Sequence, residues 1–161
     1  MNNCFSRYNI VYGVLLVALI MVAEAAVYYL KLPAWPMMAP LVLFFLGHLD
    51  TKNVPAIFVG GLVGIACSVL IVPFAVLLAP VLGSFVPKLI FIGLFVFAIV
   101  LFKDAIPVVF NSYAFMIFMM AAMVHGTTAP SILAVIMLLG GGFVIGGTVI
   151  IHRKLEPIKP Q

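Results

Sequence analysis

An all-α membrane protein with six transmembrane helices is the fold class this sequence predicts, and three observations predict it. Of its 161 residues 66% are hydrophobic and 7% charged, whereas an average soluble domain is roughly half apolar and a quarter charged. The apolar residues form continuous runs of about the length a helix needs to cross hydrocarbon, with no period-two alternation. Between the runs lie short stretches of Pro, Gly and polar residues, the usual punctuation of helix ends.

Twelve charged side chains, eight basic and four acidic, are too few to solvate the surface of a compact soluble domain of this length. Lipid removes that difficulty, and residues 1–161 read as one membrane domain with membrane lipid as its surroundings. The net charge of +4 does not point to nucleic acid, because the basic residues are spread from Arg7 to Lys159 and do not form a phosphate-binding cluster. Cys4 and Cys67 fall in different settings, one in the polar head and one deep in an apolar run, and indicate neither a disulfide nor a metal site.

The first apolar run, 9–30, continues for about twenty residues without a small-residue cleavage site, so it reads as a retained span and not as a signal peptide. The second, 34–47, is short and carries Pro36 and Pro40, which suits a kinked, tilted or partly re-entrant helix. The remaining four are placed at 55–79, 82–102, 106–125 and 129–151. Six crossings bring the two ends to one side. That side then holds Arg7, Lys52, Lys103, Arg153, Lys154 and Lys159, leaving Lys31 and Lys88 opposite, so the positive-inside rule places both termini in the cytoplasm.

The chain also carries a hint of two halves. Each has an introductory helix, a proline-entered helix ending near a His and a Gly, and a glycine-rich helix. The first half runs through Pro33, Trp35, Gly47 and His48 to Pro55 and Gly60, Gly61 and Gly64. The second runs through Pro107, His125 and Gly126 to Pro130 and a series from Gly140 to Gly147. Three spans per unit would invert one half relative to the other, an arrangement many transporters use. The alternative also stands, since helix breaks attract these residue types in any membrane protein.

Glu24 is the acidic residue inside a span, a turn or two from the outer end of the first helix. An ionised carboxylate in hydrocarbon costs several kcal/mol unless paired or wet. It reads either as a ligand lining a pathway or as an anchor reaching Lys31 and the headgroups. Asn111, Ser112 and Tyr113 form the densest polar group within a span and read as solute contacts or as helix–helix hydrogen bonds. His48 and His125 fall at opposite mouths, as gating or relay groups or as ordinary interfacial histidines, without the partners a metal site requires. Gly60 with Gly64, and Gly142 with Gly146, have the small-xxx-small spacing of close helix packing. Trp35, Tyr28 and Tyr29 beside Lys31 read as an outer aromatic belt.

No phosphate loop, nucleophile–base pair or carboxylate pair is evident, so the chain is not expected to be an enzyme or to need a cofactor. The Leu32-Pro33-Ala34-Trp35 entrance, the Phe44-Phe45-Leu46-Gly47 close and the glycine-rich last helix before a basic tail resemble a family of small six-span bacterial inner-membrane proteins grouped under a domain of unknown function. His48 and Asp50 and the short tail depart from that pattern. The resemblance implies architecture and a bacterial inner-membrane location only. The function expected is a small channel or transporter for a small polar or weakly ionised solute, assembled as a homo-oligomer. The alternative is a membrane interaction or assembly subunit, and a lipid-binding or lipid-modifying role is a weaker third.

Overall fold

A computed structural model describes residues 7–124 and 126–156; His125 and the two chain ends lie outside the described residues. Among the described residues there is no strand, and six helices follow one another. They are α1 (Arg7–Tyr29), α2 (Trp35–Leu46), α3 (Val54–Leu82), α4 (Val86–Phe102), α5 (Ser112–Met123) and α6 (Pro130–Leu155). A 3-10 turn, Thr51–Asn53, leads into α3. Inside α6 the stretch Ile136–Gly141 is π-helical.

The helix starts follow local chemistry. Pro36, Pro55, Pro87 and Pro130 each sit in the first two positions of a helix, where the missing N–H would have had no partner anyway. The start of α5 is different. A helix over 106–125 is expected from hydropathy, yet residues 103–111 form successive turns and the helix begins only at Ser112. Asn111 is extended, and its side chain accepts the Ala114 amide at 2.9 Å, a side-chain N-cap. Pro107 further disfavours a helical residue before it. At the other end of α3, Gly83 adopts φ 74, a left-handed close that glycine accepts without a Cβ penalty.

At 1.5 Å per residue, α1, α3 and α6 are about 34, 43 and 39 Å long, and each exceeds the roughly 30 Å hydrocarbon layer. These three are long and apolar enough to cross a membrane. By the same measure α4 is about 25 Å, while α2 and α5 are only about 18 Å each.

Packing alternates in direction. Met37 and Pro40 of α2 meet Gly140 and Gly141 of α6 in rising order, so these two helices run parallel. Asn111 and then Ala114 and Phe118 of α5 meet Gly60 and then Gly64 of α3, also in parallel. Leu19 of α1 lies against Gly147 of α6 while Tyr8 bonds His152, so α1 and α6 are antiparallel. Phe74 of α3 contacts Phe91 of α4, with 5.3 Å between ring centroids, across the short connection at Gly83. Thus α1 and α2 both pack on α6, and α4 and α5 both pack on α3.

The centre is apolar. Ile57, Ile65, Ile117, Ala121, Met137 and Ile145 join α3, α5 and α6, with Phe44 and Leu43 from α2. A second cluster sets Ala23 and Val27 of α1 against Met37, Leu41, Ile136 and Val144. A third holds Phe95 and Phe118 at 4.9 Å with Ile71 and Ala114. Outside, large apolar side chains stay exposed on every helix, among them Leu77, Val81, Phe97, Met123, Leu139 and Phe143. A coat of this extent far exceeds the apolar patches of a soluble monomer and suits a lipid-facing surface. Tyr28 and Tyr29 are about four-fifths exposed beside Lys31, as a belt would be. Trp35 is not. It is partly buried against the central cluster, and its indole N–H is buried without a partner.

Candidate functional site

Glu24 stands on the flank of α1, partly buried, next to the buried Ala23 and one turn from Val27. Among the described residues no ion pair links it to the exposed Lys31. The α1 segment here packs on apolar parts of α2 and α6, and Glu24 makes no hydrogen bond or ion pair with another described residue.

Asn111, Ser112 and Tyr113 do different things. The Asn111 amide donates to the carbonyls of Pro107 (2.9 Å), Val108 (3.0 Å) and Ala56 (3.3 Å), while its oxygen caps α5. One side chain therefore folds the turn before α5 and ties it to α3 over Gly60, where a Cβ would overlap the Asn111 amide. Ser112 is exposed. Tyr113 reaches the α2–α3 connection, its hydroxyl 3.4 Å from where a Cβ on Gly47 would stand. Asn53 donates to the Gly47 carbonyl at 3.4 Å in the same place.

His48 is exposed and left-handed, with φ 56, and Leu49 follows at φ 60. Asp50 accepts the Lys52 amide at 2.9 Å and opens the 3-10 turn. His125 lies outside the described residues. Of the glycines, Gly60 and Gly64 lie directly under α5, but Gly142 and Gly146 have open space where a Cβ would be. The close approaches on α6 fall instead at Gly140, Gly141 and Gly147, against Met37, Pro40 and Leu19.

A polar constellation that sequence reasoning missed sits where the two ends of the described chain meet. The Tyr8 hydroxyl lies 3.0 Å from His152 Nδ1. Tyr12 stacks on Tyr8 with ring centroids 5.9 Å apart and meets His152 edge-on at 6.2 Å, its hydroxyl buried without a partner. Beside this cluster is a cavity of about 190 Å³ lined by Phe44, Leu49, Thr51, Thr148, Val149, His152, Arg153 and Glu156. The Thr148 hydroxyl donates to the Val144 carbonyl at 2.8 Å, the usual way a helical threonine satisfies itself. The legible signal is the i, i+4 pairs Tyr8/Tyr12 and Thr148/His152, each on one helix face near the same end.

A second cavity, about 140 Å³ and almost wholly apolar, lies between α2 and α5 and is lined by Trp35, Met38, Val42, Leu43, Met116 and Met120, among others. Among the described residues no group of three or more His, Cys, Asp or Glu side chains is placed to hold a metal ion. The chain matches no protein-family model, no curated protein and no solved structure.

Proposed function

We propose that the protein is a small multi-pass membrane transporter or channel for a small polar or weakly ionised solute, built from two inverted three-helix halves. In this reading α1–α3 and α4–α6 are the halves, and each contributes a first helix, a 12-residue second helix and a long third helix. The observation that carries the reading is the exchange of packing between them. The first and second helices of one half rest on the third helix of the other, in both directions. A shift of 77 residues relates the short helices, so that Met37 corresponds to Ala114 and Pro40 to Ile117, and each of these four meets a glycine on the opposing long helix. Such reciprocity is expected of inverted repeats around an axis in the membrane plane.

In this conformation the centre is filled by Ile57, Ile117 and Met137, so the proposal is of a closed or occluded state. Opening then requires α2 and α5 to shift along the glycine seams of α6 and α3. The π-helical turn Ile136–Gly141 faces α2, and π segments recur at functional positions in helices. We assign the crossings an even number, both termini to the cytoplasm and the protein to a bacterial inner membrane, the last resting on the family resemblance. Assembly of several copies belongs to the same proposal.

Reconstitution tests it. Proteoliposomes are loaded with a panel of urea, ammonium, small carboxylates and monovalent ions, and at least one solute should cross faster than through protein-free vesicles. Uniformly absent flux contradicts the proposal.

One observation favours the alternative of an interaction or assembly subunit. Gly142 and Gly146, one turn apart, have no neighbour within 4 Å of where a Cβ would stand, and the exposed Phe143 lies between them. This is an unfilled small-residue stripe of the kind that receives another helix.

A further inference from the structure

We propose that the cavity between the α2–α3 connection and the last turns of α6 seats a phosphate-bearing anion, and that in the membrane this anion is the headgroup of an acidic phospholipid. The inference is independent of solute transport. Its lining is amphipathic. Phe44, Leu49 and Val149 supply apolar wall, and Thr51, His152 and Arg153 supply donors.

Each donor has a defined capacity. Arg153 is exposed on the last turn of α6 and offers a planar guanidinium that suits phosphate oxygens. The Tyr8 hydroxyl lies on His152 Nδ1; with the phenol donating, the neutral imidazole keeps its proton on Nε2 as a further donor. Thr51 is an exposed residue of the lining and adds a hydroxyl to the donor set. Thr148 has spent its proton on Val144 and can only accept. Glu156 is the opposing charge, exposed on the rim.

The wider field agrees in sign. By the alternating helix directions this end of the bundle carries Arg7, Lys52, Lys103, Arg153 and Lys154 against Asp50, Asp104 and Glu156 among the described residues. Basic pockets between membrane helices on the more positive side are where acidic headgroups bind. A headgroup here would bridge the α2–α3 connection and α6.

The test uses the full chain in phosphatidylcholine-doped micelles, titrated with phosphatidylglycerol, phosphatidylcholine or inorganic phosphate, with bound ligand counted by native mass spectrometry. Phosphatidylglycerol should bind several-fold more tightly than phosphatidylcholine. Arg153→Gln should weaken it about fivefold, the effect of one interfacial cation, while Lys154→Gln on the same turn leaves it within twofold. Glu156→Gln should strengthen it, which keeps the proposal testable should Arg153→Gln fold poorly. Equal losses in the two cation variants would mean diffuse attraction and overturn the seat. Full displacement of the lipid by millimolar inorganic phosphate would overturn the lipid assignment.

Discussion

Gly64→Ala is the perturbation whose cost the structure defines most closely. A Cβ at Gly64 would overlap the Ala114 carbonyl oxygen and lie 2.7 Å from the Phe118 amide nitrogen. Both obstacles are backbone of α5, so no side-chain rotation relieves them. Overpacking of this kind costs about 1–3 kcal/mol, and the rigid neighbours argue for the upper part of that range. Against it stands the helix preference of Ala over Gly, about 1 kcal/mol, leaving a net loss near 2 kcal/mol. Gly142→Ala is the control, since nothing lies within 4 Å of its Cβ and it should be neutral or up to about 1 kcal/mol stabilising. The two variants should thus differ by about 2–3 kcal/mol, or roughly thirty- to a hundred-and-sixty-fold in the folded-to-unfolded ratio. Reversible unfolding in mixed micelles, followed by circular dichroism, measures this. Gly64→Ala as stable as the parent, or Gly142→Ala losing as much as Gly64→Ala, would refute the packing of α5 on α3.

Three further outcomes follow from named contacts. Asn111→Ala loses both the cap on α5 and the donors to Pro107, Val108 and Ala56 and should lose about 1–2 kcal/mol in the same unfolding assay, while Asn111→Asp, which keeps the acceptor but turns a carboxylate oxygen toward the same three carbonyls, should lose at least as much. Tyr8→Phe removes the bond to His152 and should cost about 1 kcal/mol, with faster amide exchange in the first turn of α1 than in α3. His48→Gly relieves a left-handed residue and should gain about 1 kcal/mol. If reconstituted flux is found and falls in that more stable variant, the imidazole serves transport and not the turn.

Much of the helix layout is legible in the sequence because lipid-length apolar runs are a coarse, local signal. The first, third and last helices, read at 9–30, 55–79 and 129–151, occupy Arg7–Tyr29, Val54–Leu82 and Pro130–Leu155. The fifth starts later than its apolar run because hydropathy does not register that Asn111 spends its side chain on a cap and a turn. Which glycines pack is also hidden. Gly140 and Gly141 lie in the π-helical turn, which changes the face each residue presents, so the Gly142/Gly146 spacing points at open space. The Tyr8–His152 bond joins residues 144 apart in sequence, and no local pattern connects such positions. Glu24 stands out as a carboxylate in an apolar run, but a single chain brings it no polar partner among the described residues.

The central claim is that six helices alternate through the bilayer as two inverted halves, and cysteine accessibility in sealed cells tests it most directly. In a background lacking Cys4 and Cys67, single cysteines replace Lys31, Lys52, Ser84, Asp104, Thr127 and Lys154, and each is probed with a membrane-impermeant maleimide. The account predicts that positions 31, 84 and 127 react from outside while 52, 104 and 154 react only after permeabilisation. Positions 31 and 52 sharing one side, or 104 and 127 sharing one side, would mean that α2 or α5 turns back within the membrane, and the inverted halves would be contradicted.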